Sequence, residues 1–253
     1  LKDAILMVNN MNMLKEILRP CSSFVFGALM LLSTNNGAFC QNYTFSQAER
    51  LMSDVNSDAE ESMPIITPDG QKMFFVRTYH DQNVGGKNAG QDIWMAMLDV
   101  KGNWASATND FPELNNERNN AVIGINHDET ALFLTNAYNP VNTTVLGVSS
   151  SIRIGDYWSK PNDINIKGLD SKNSFIGFFM NKDENVLLIS MDFRNSIGNE
   201  DLFISLKSEN GVWSTPENLG PGINTPEIEI SPFLSDDGKL LFFASNGHSG
   251  YGG

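Results

Sequence analysis

Short bursts of apolar residues recur along the chain, and each follows a polar turn that contains an aspartate. The bursts are MFFV, ALFLT, VLLIS and LLFFAS, and their turn aspartates are Asp69, Asp128, Asp183 and Asp237. These aspartates lie 59, 55 and 54 residues apart. Short apolar runs behind a turn are typical of β-strands that are buried on both faces. The pattern therefore predicts a repeated all-β unit.

Two further markers keep the same period. One is a tryptophan that precedes the next turn aspartate by 24 or 25 residues. The other is an apolar strand opened by an aspartate, in DIWMAML and in DLFISL; the second repeat departs from this marker and has Leu146 at the position. The tryptophans are Trp104, Trp158 and Trp213, and the strand-opening aspartates are Asp92 and Asp201.

Each repeat holds an apolar strand, a turn, a second strand, a variable loop, a third strand, and a tight turn that leads to a fourth strand at the tryptophan. Four short strands per unit are the signature of a propeller blade, and the long loops account for a period slightly above the usual one. We therefore predict an all-β fold, a β-propeller of four-stranded antiparallel blades that is incomplete in this chain, with about three to four blades. The predicted blade units are 43–103, 104–157, 158–212 and a truncated 213–253.

The recurring residues are expected to be structural. Asp69-Gly70 and Asp237-Gly238 supply the positive φ that a tight turn needs, and the two turns without glycine are expected to be of another type. The tryptophans offer a large apolar face for packing between blades. The strand-opening aspartates are expected to accept backbone N–H groups. Because catalytic residues are normally singular, residues repeated once per blade predict no catalytic site.

The first forty residues have the composition of a secretory signal peptide. A basic stretch after Met11 or Met13 precedes an apolar run at 24–32, and Ala38 and Cys40 stand at the small-residue positions of a cleavage site before Gln41. The apolar run is about half of the ~20 residues that a membrane-spanning helix needs. Residues 1–10 are expected to be an upstream extension outside the fold. A retained anchor, a buried helix and lipid attachment at Cys40 are the weaker alternatives.

Charge and cysteine usage narrow the function classes. The chain carries 17 Lys and Arg against 30 Asp and Glu, a net charge of -13, which argues against binding a nucleic-acid backbone. The hydrophobic content of 41% is enough for a core. Both cysteines, Cys21 and Cys40, lie in the predicted signal peptide, so the processed chain is expected to have no thiol chemistry and no disulfide.

No arrangement of residues predicts a catalytic site, a cofactor site or a metal site. His80, His127 and His248 occur in no H-x-x-H motif, and no G-x-S-x-G motif is present. The loop NVGGKNAGQD leads into a strand, so it lacks the helix N-terminus of a phosphate site. A calcium ion in this loop, and a pair of carboxylates acting as in glycosidases, remain open alternatives.

Two long stretches resemble a known family: ESMPIITPDGQKMFFVRTYHDQNVGGKNAGQDIW and WSTPENLGPGINTPEIEISPFLSDDGKLLFFASNGHSGYGG. They are similar to the Pro-Asp, WD-like repeat of TolB-type β-propellers, in the form found in bacterial envelope proteins of the OmpA-like group. The resemblance covers about Phe45 to Gly253. It implies an interaction platform in the periplasm or at the outer membrane, with another envelope protein or an outer-membrane complex as its partner. It also implies that a further strand follows the last glycine loop and that a domain binding peptidoglycan lies outside this chain.

Two functional hypotheses follow. The first is a non-enzymatic exported β-propeller whose blade loops bind another envelope protein. The alternative is a propeller hydrolase that acts on a saccharide or a peptide, with its site at the mouth of the propeller axis or in a domain outside this chain. Fold class does not separate them, because propellers host both kinds of function.

Overall fold

The computed structural model describes residues 5–8, 46–138, 146–169 and 176–249, and of 5–8 only the backbone. Every regular element in this part of the chain is a β-strand. The all-β class is therefore confirmed. No helix among the described residues has the length and apolar character needed to cross a bilayer.

The strands form four antiparallel sheets, and in the first three the strands of a sheet follow one another along the chain. The first sheet contains β2 (Glu60–Ile66), β3 (Lys72–Thr78), β4 (Gln91–Leu98) and β5 (Trp104–Thr108). The second contains β6 (Val122–Ile125), β7 (Ala131–Thr135), β8 (Val148–Ile154), β9 (Tyr157–Trp158) and β10 (Asn162–Ile164). The third contains β11 (Ile176–Met180), β12 (Val186–Met191), β13 (Asp201–Leu206) and β14 (Glu217–Asn218). The fourth contains β15 (Glu229–Leu234), β16 (Leu240–Ser245) and β1 (Ile5–Val8).

The first and third sheets share one register as well as one strand order. In the first sheet Phe75 pairs with Trp94, and in the third Ile189 pairs with Phe203. In both pairs the first residue lies six positions after a turn aspartate and the second lies two positions after a strand-opening aspartate. The chain is thus a partial β-propeller of four-stranded antiparallel blades, as predicted.

The sheets do not start where the predicted blade units start. The predicted units begin at the aromatic residue, and the sheets begin further along the chain. The first three sheets each begin with the strand before the turn aspartate and end with a strand at the aromatic or a few residues after it. Trp104 is the first residue of the outer strand of the first sheet, and Trp158 lies in β9 of the second. Trp213 forms an isolated bridge with Lys207 at the end of the third sheet. The sequence period is therefore kept, while the hydrogen-bonded unit starts later in the chain.

Apolar clusters hold neighbouring sheets face to face. One cluster joins the second and third sheets and includes Phe133 and Phe203, and another joins the third and fourth. Every residue of β12 is buried, and so is the middle of β3, as expected for strands between blades. In β16 burial alternates instead. Its second face has no neighbouring sheet among the described residues, so only one face of that strand is covered.

The prediction that the two turns without glycine differ in type is wrong. Gly70 and Gly238 have φ of 71° and 66°, and at the same turn position Glu129 and Glu184 have φ of 56° and 57°. Gly70 N–H donates to the Thr67 carbonyl at 2.8 Å, and Glu129 N–H donates to that of Asn126 at 3.1 Å. All four turns therefore share one backbone shape.

Two predictions concern the N-terminal segment: a signal peptide, and an extension at 1–10 that lies outside the fold. The apolar run and the cleavage site of the predicted signal peptide lie outside the described residues. Residues 5–8, which were expected to stand outside the fold, form β1 and pair with β16. The edge of β16 offers unpaired backbone groups in the position where β4 and β13 lie in their own sheets, and an extended apolar segment can satisfy those groups.

Candidate functional site

Antiparallel connectivity divides the connections between strands into two sets. The tight hairpin turns lie at one end of the sheets, which we call the turn face. The longer loops lie at the other end, which we call the loop face; it consists of residues 79–90, 109–121, 192–200 and 219–228. Because surface loops on a rigid scaffold commonly carry binding residues, the loop face is the candidate functional site.

Two buried aspartates hold these loops in place. Asp92, with 1% of its surface exposed, accepts hydrogen bonds from Val84 N–H at 2.9 Å and from the Asn109 side chain at 3.1 Å. Asp201 is fully buried and accepts from Ile197 N–H at 2.6 Å and from the Asn218 side chain at 2.6 Å. Burial raises the pKa of Asp92 against the effect of its hydrogen bonds. Each strand-opening aspartate thus accepts a backbone N–H from the loop that precedes its strand.

Two buried asparagines bind the strands that Asp92 and Asp201 open. Sequence reasoning gave these asparagines no role. The Asn115 side chain accepts from Ile93 N–H at 2.8 Å and donates to the Ile93 carbonyl at 3.0 Å. Asn224 does the same with Leu202, at 2.8 and 2.9 Å. Each carboxamide therefore acts as a short piece of neighbouring strand. The signal in the sequence was their common spacing of eleven residues after the aromatic.

A buried arginine packs beneath the loop at 79–90 and links it to the first sheet. The Arg77 side chain donates to the Asp54 carbonyl at 2.6 Å and to the Glu61 carboxylate at 3.2 Å, and its guanidinium lies 4.0 Å from the ring centroid of Trp94. The Trp94 indole N–H donates to Asn83 at 3.1 Å. Glu61 and Glu229 share a repeat position, eight residues before a turn aspartate. These contacts fix the first loop to the sheet beneath it.

The same loops expose apolar side chains to solvent. Tyr79 is 52% exposed and has a φ of 60°, a left-handed conformation that is uncommon outside glycine. Val84 and Ile197 are 39% and 42% exposed. Charged residues at the rim include Asp81, Lys87, Arg118 and Arg194. A rigid surface with apolar centres and a polar rim suits contact with a protein partner.

The turn face carries the repeated turn aspartates and the bonds between sheets. Asp69 accepts from the Thr67 hydroxyl and from Gln71 N–H, and these bonds lower its pKa to about 2. Asp237 is held in the same way by Lys239 and Ser235, and its pKa also lies at about 2. Asp183 lies 2.9 Å from His127 of the second sheet, while Asp128 is exposed.

The glutamates at the left-handed turn position each bind the preceding sheet. Glu129 accepts from Asp69 N–H at 3.0 Å and pairs with Lys72 at 3.1 Å, and Glu184 accepts from the Asn126 side chain at 2.9 Å. Glycine could not make these contacts. The bonds between sheets therefore explain why a residue with a side chain occupies a strained backbone position.

The three tryptophans pack against apolar side chains. Trp158 packs edge-on against Phe74 of the first sheet, with ring centroids 6.5 Å apart. Trp213 is buried in the cluster between the second and third sheets, and Trp104 packs at the outer face of the first. Between the second and third sheets lies a cavity of about 510 Å³, with Ile152, Trp213 and Lys207 among its lining residues.

The histidines form no constellation suited to catalysis. The His80 ring packs on Trp94 at 4.7 Å between centroids, and burial lowers its pKa. His248 lies 2.7 Å from the Ile223 carbonyl. Within the described ranges, no group of three or more His, Cys, Asp or Glu side chains is placed to hold a metal ion. What the loop face offers chemically is hydrogen bonding and apolar contact.

No protein-family model matches the chain, and no curated protein matches it. Solved structures with a similar arrangement of strands include TolB from Acinetobacter baumannii, at 12% identity and a TM-score of 0.43, covering 72% of this chain and 37% of that one. A candidate 6-phosphogluconolactonase from Bacteroides uniformis matches at 12% identity and a TM-score of 0.38, covering 83% and 55%. A glycoside hydrolase matches at 12% identity and a TM-score of 0.39, covering 70% and 62%.

The matched region thus spans between about a third and about six-tenths of these other chains. At such identities and TM-scores the likeness adds nothing about the function of this chain. The fold assignment depends on the sheets and their register.

Proposed function

We propose that this chain is the propeller part of an exported, non-enzymatic protein that binds another protein of the bacterial cell envelope through its loop face. The observation that carries the proposal is the repeated support beneath the loops, Asp92 with Asn115 in one sheet and Asp201 with Asn224 in the next. A surface that is rigid before binding loses little conformational entropy on association.

The location and context of the protein belong to the same proposal. The signal-peptide composition of the first forty residues supports export, and the similarity of the repeats to TolB-type and OmpA-like envelope propellers supports a periplasmic or outer-membrane position. The expected partner is an envelope protein or an outer-membrane complex. Contact with peptidoglycan would come from a domain outside this chain.

The test compares variants on the two faces of the propeller. The loop-face variant is Tyr79→Ala with Val84→Ser, and the control is Val100→Ser, a fully exposed residue of a hairpin turn on the opposite face. Each chain is expressed in the native bacterium, cross-linked in intact envelopes and analysed by mass spectrometry. We expect capture of a specific partner to fall about tenfold for the loop-face variant, because the variant loses apolar contacts at the centre of the interface. Capture should be unchanged for the control. Equal capture by all chains, or no partner above background, would refute the proposal.

A hydrolase acting on a saccharide or a peptide is the second candidate, and the cavity between the second and third sheets favours it. Glu184 and Lys207 lie in its wall and could supply an acid and a cation. Turnover of glycoside or peptide substrates by the intact protein that is lost on Glu184→Gln would establish this function. Absence of turnover in both proteins would leave the binding function as the better account.

A further inference from the structure

The outer edge of β16 is occupied by the N-terminal strand in a specific register. Ile5 lies opposite Phe243, Leu6 opposite Phe242 and Met7 opposite Leu241. The other edge of β16 pairs with β15. Strand β1 therefore takes the place that a third strand has in the other sheets.

This register is the one that the first and third sheets use. Phe243 lies six residues after Asp237, as Phe75 lies six after Asp69, and each pairs with the residue that stands two positions after an aspartate. In the first sheet that aspartate is Asp92. In the N-terminal segment the sequence position is Asp3, followed by the apolar run AILMV. The strand pairing and the sequence pattern therefore both align the N-terminal segment with β4 of the first sheet.

We propose that the outer edge of β16 is a strand-docking site and that its occupant is the chain's own N-terminal segment, an extended apolar strand opened by an aspartate. Pairing covers backbone groups that an apolar edge would otherwise expose to other chains. Cleavage before Gln41, which the proposed export implies, would remove this strand and free the edge.

The complete sheets also define which amides of the segment face β16. In the first sheet Leu98 N–H donates to the Gln71 carbonyl at 2.8 Å, and in the third Lys207 N–H donates to that of Asn185 at 3.0 Å. Each donor lies six positions after its strand-opening aspartate. Because bonding alternates along a strand, the N–H groups of Ile5 and Met7 face β16, and that of Leu6 faces away.

The test uses the full chain and two proline variants in the same strand. Met7→Pro removes an N–H that bonds to β16, whereas Leu6→Pro, the matched control, removes one that points outward. The measurement is residue-resolved hydrogen exchange, read at the amides of Leu241 and Phe243, with Leu188 in the third sheet as a reference. We expect slow exchange in the parent and in Leu6→Pro, and exchange at least about tenfold faster in Met7→Pro.

Several outcomes would overturn the proposal. Rapid exchange of Leu241 and Phe243 in the parent chain would show that nothing covers the edge, and this result needs no variant. If the amides of Leu241 and Phe243 stay protected in Met7→Pro, another segment covers the edge of β16. If their protection depends on protein concentration, a second copy of the chain covers it. Loss of protection at Leu188 as well would mean that Met7→Pro destabilises the third sheet too. In that case the peptide KDAILMVN is added to the variant, and failure to restore protection at Leu241 counts against the docking site.

Discussion

Replacing Asn224 by alanine tests whether the buried carboxamides support the loop face. The Asn224 side chain is 1% exposed, binds both backbone groups of Leu202 and donates to Asn218 at 2.8 Å. Alanine removes three hydrogen bonds and leaves the buried Leu202 N–H without its partner, whereas the Leu202 carbonyl still accepts from Leu219 N–H at 3.0 Å. With about 1 kcal/mol for each bond and a further cost for the orphaned N–H, we expect a loss of about 3 to 4 kcal/mol in the free energy of unfolding.

Asn56 provides the matched control, because it holds the same repeat position. Its side chain donates only to the Leu51 carbonyl, at 2.7 Å in an exposed setting, so Asn56→Ala should cost less than about 1 kcal/mol. Urea unfolding followed by fluorescence measures both variants. Asn224→Asp should cost at least as much as Asn224→Ala, because it buries a carboxylate whose second oxygen faces two other oxygens, the Leu202 carbonyl and the Asn218 side chain. A loss for Asn224→Ala no larger than that for Asn56→Ala would refute the assigned role.

Three further predictions concern the turns and the buried arginine. Glu129→Ala should cost about 2 kcal/mol because it loses the bonds to the preceding sheet and keeps the left-handed backbone, whereas Glu129→Gly should recover about 1 kcal/mol of that loss; an equal loss in urea unfolding would contradict this. The pKa values of Asp69 and Asp237 lie at about 2, below the usual 3.8, so the stability that they contribute is present above pH 3.8 and is lost as the pH falls towards 2. Unfolding of Asp69→Asn/Asp237→Asn across that range should therefore depend less on pH than unfolding of the parent, and an unchanged slope would exclude the assignment. Arg77→Met should cost about 3 to 5 kcal/mol because it leaves the partly buried Glu61 carboxylate without a cation, held only by its bonds from Ser57, and Arg77→Lys should cost less; similar melting temperatures for the two would argue against the ion pair.

The sequence was sufficient for the sheets because the signals that define a sheet are local. An aspartate in a turn, an apolar burst behind it and an aromatic before the next turn each act within a few residues, and their repetition predicts the four-stranded unit. The roles of Asp92 and Asp201 followed from the same reasoning, since a carboxylate at a strand entry has backbone N–H groups within reach.

The remaining features depend on contacts between distant parts of the chain. Glu129 adopts a left-handed conformation because its partners lie in the preceding sheet, 57 to 60 residues away in sequence. The bonds of Asn115 and Asn224 span 22 residues, so spacing revealed their positions and could not reveal their roles. The arginine itself has no counterpart in the other repeats, where Asn136, Met191 and Ser245 hold the position of Arg77. Repetition therefore gave no guide to it.

The glutamate at the turn gives the second and third sheets a direction along the chain. A module with glutamate at this position, as in the second and third sheets, needs a neighbour on the side towards the N-terminus, where its carboxylate finds a donor. A module with glycine there, as in the first and fourth, makes no such demand. The modules are therefore not interchangeable: a duplicated glutamate module could be inserted after any existing sheet, whereas one placed first in an array would carry backbone strain with nothing to offset it.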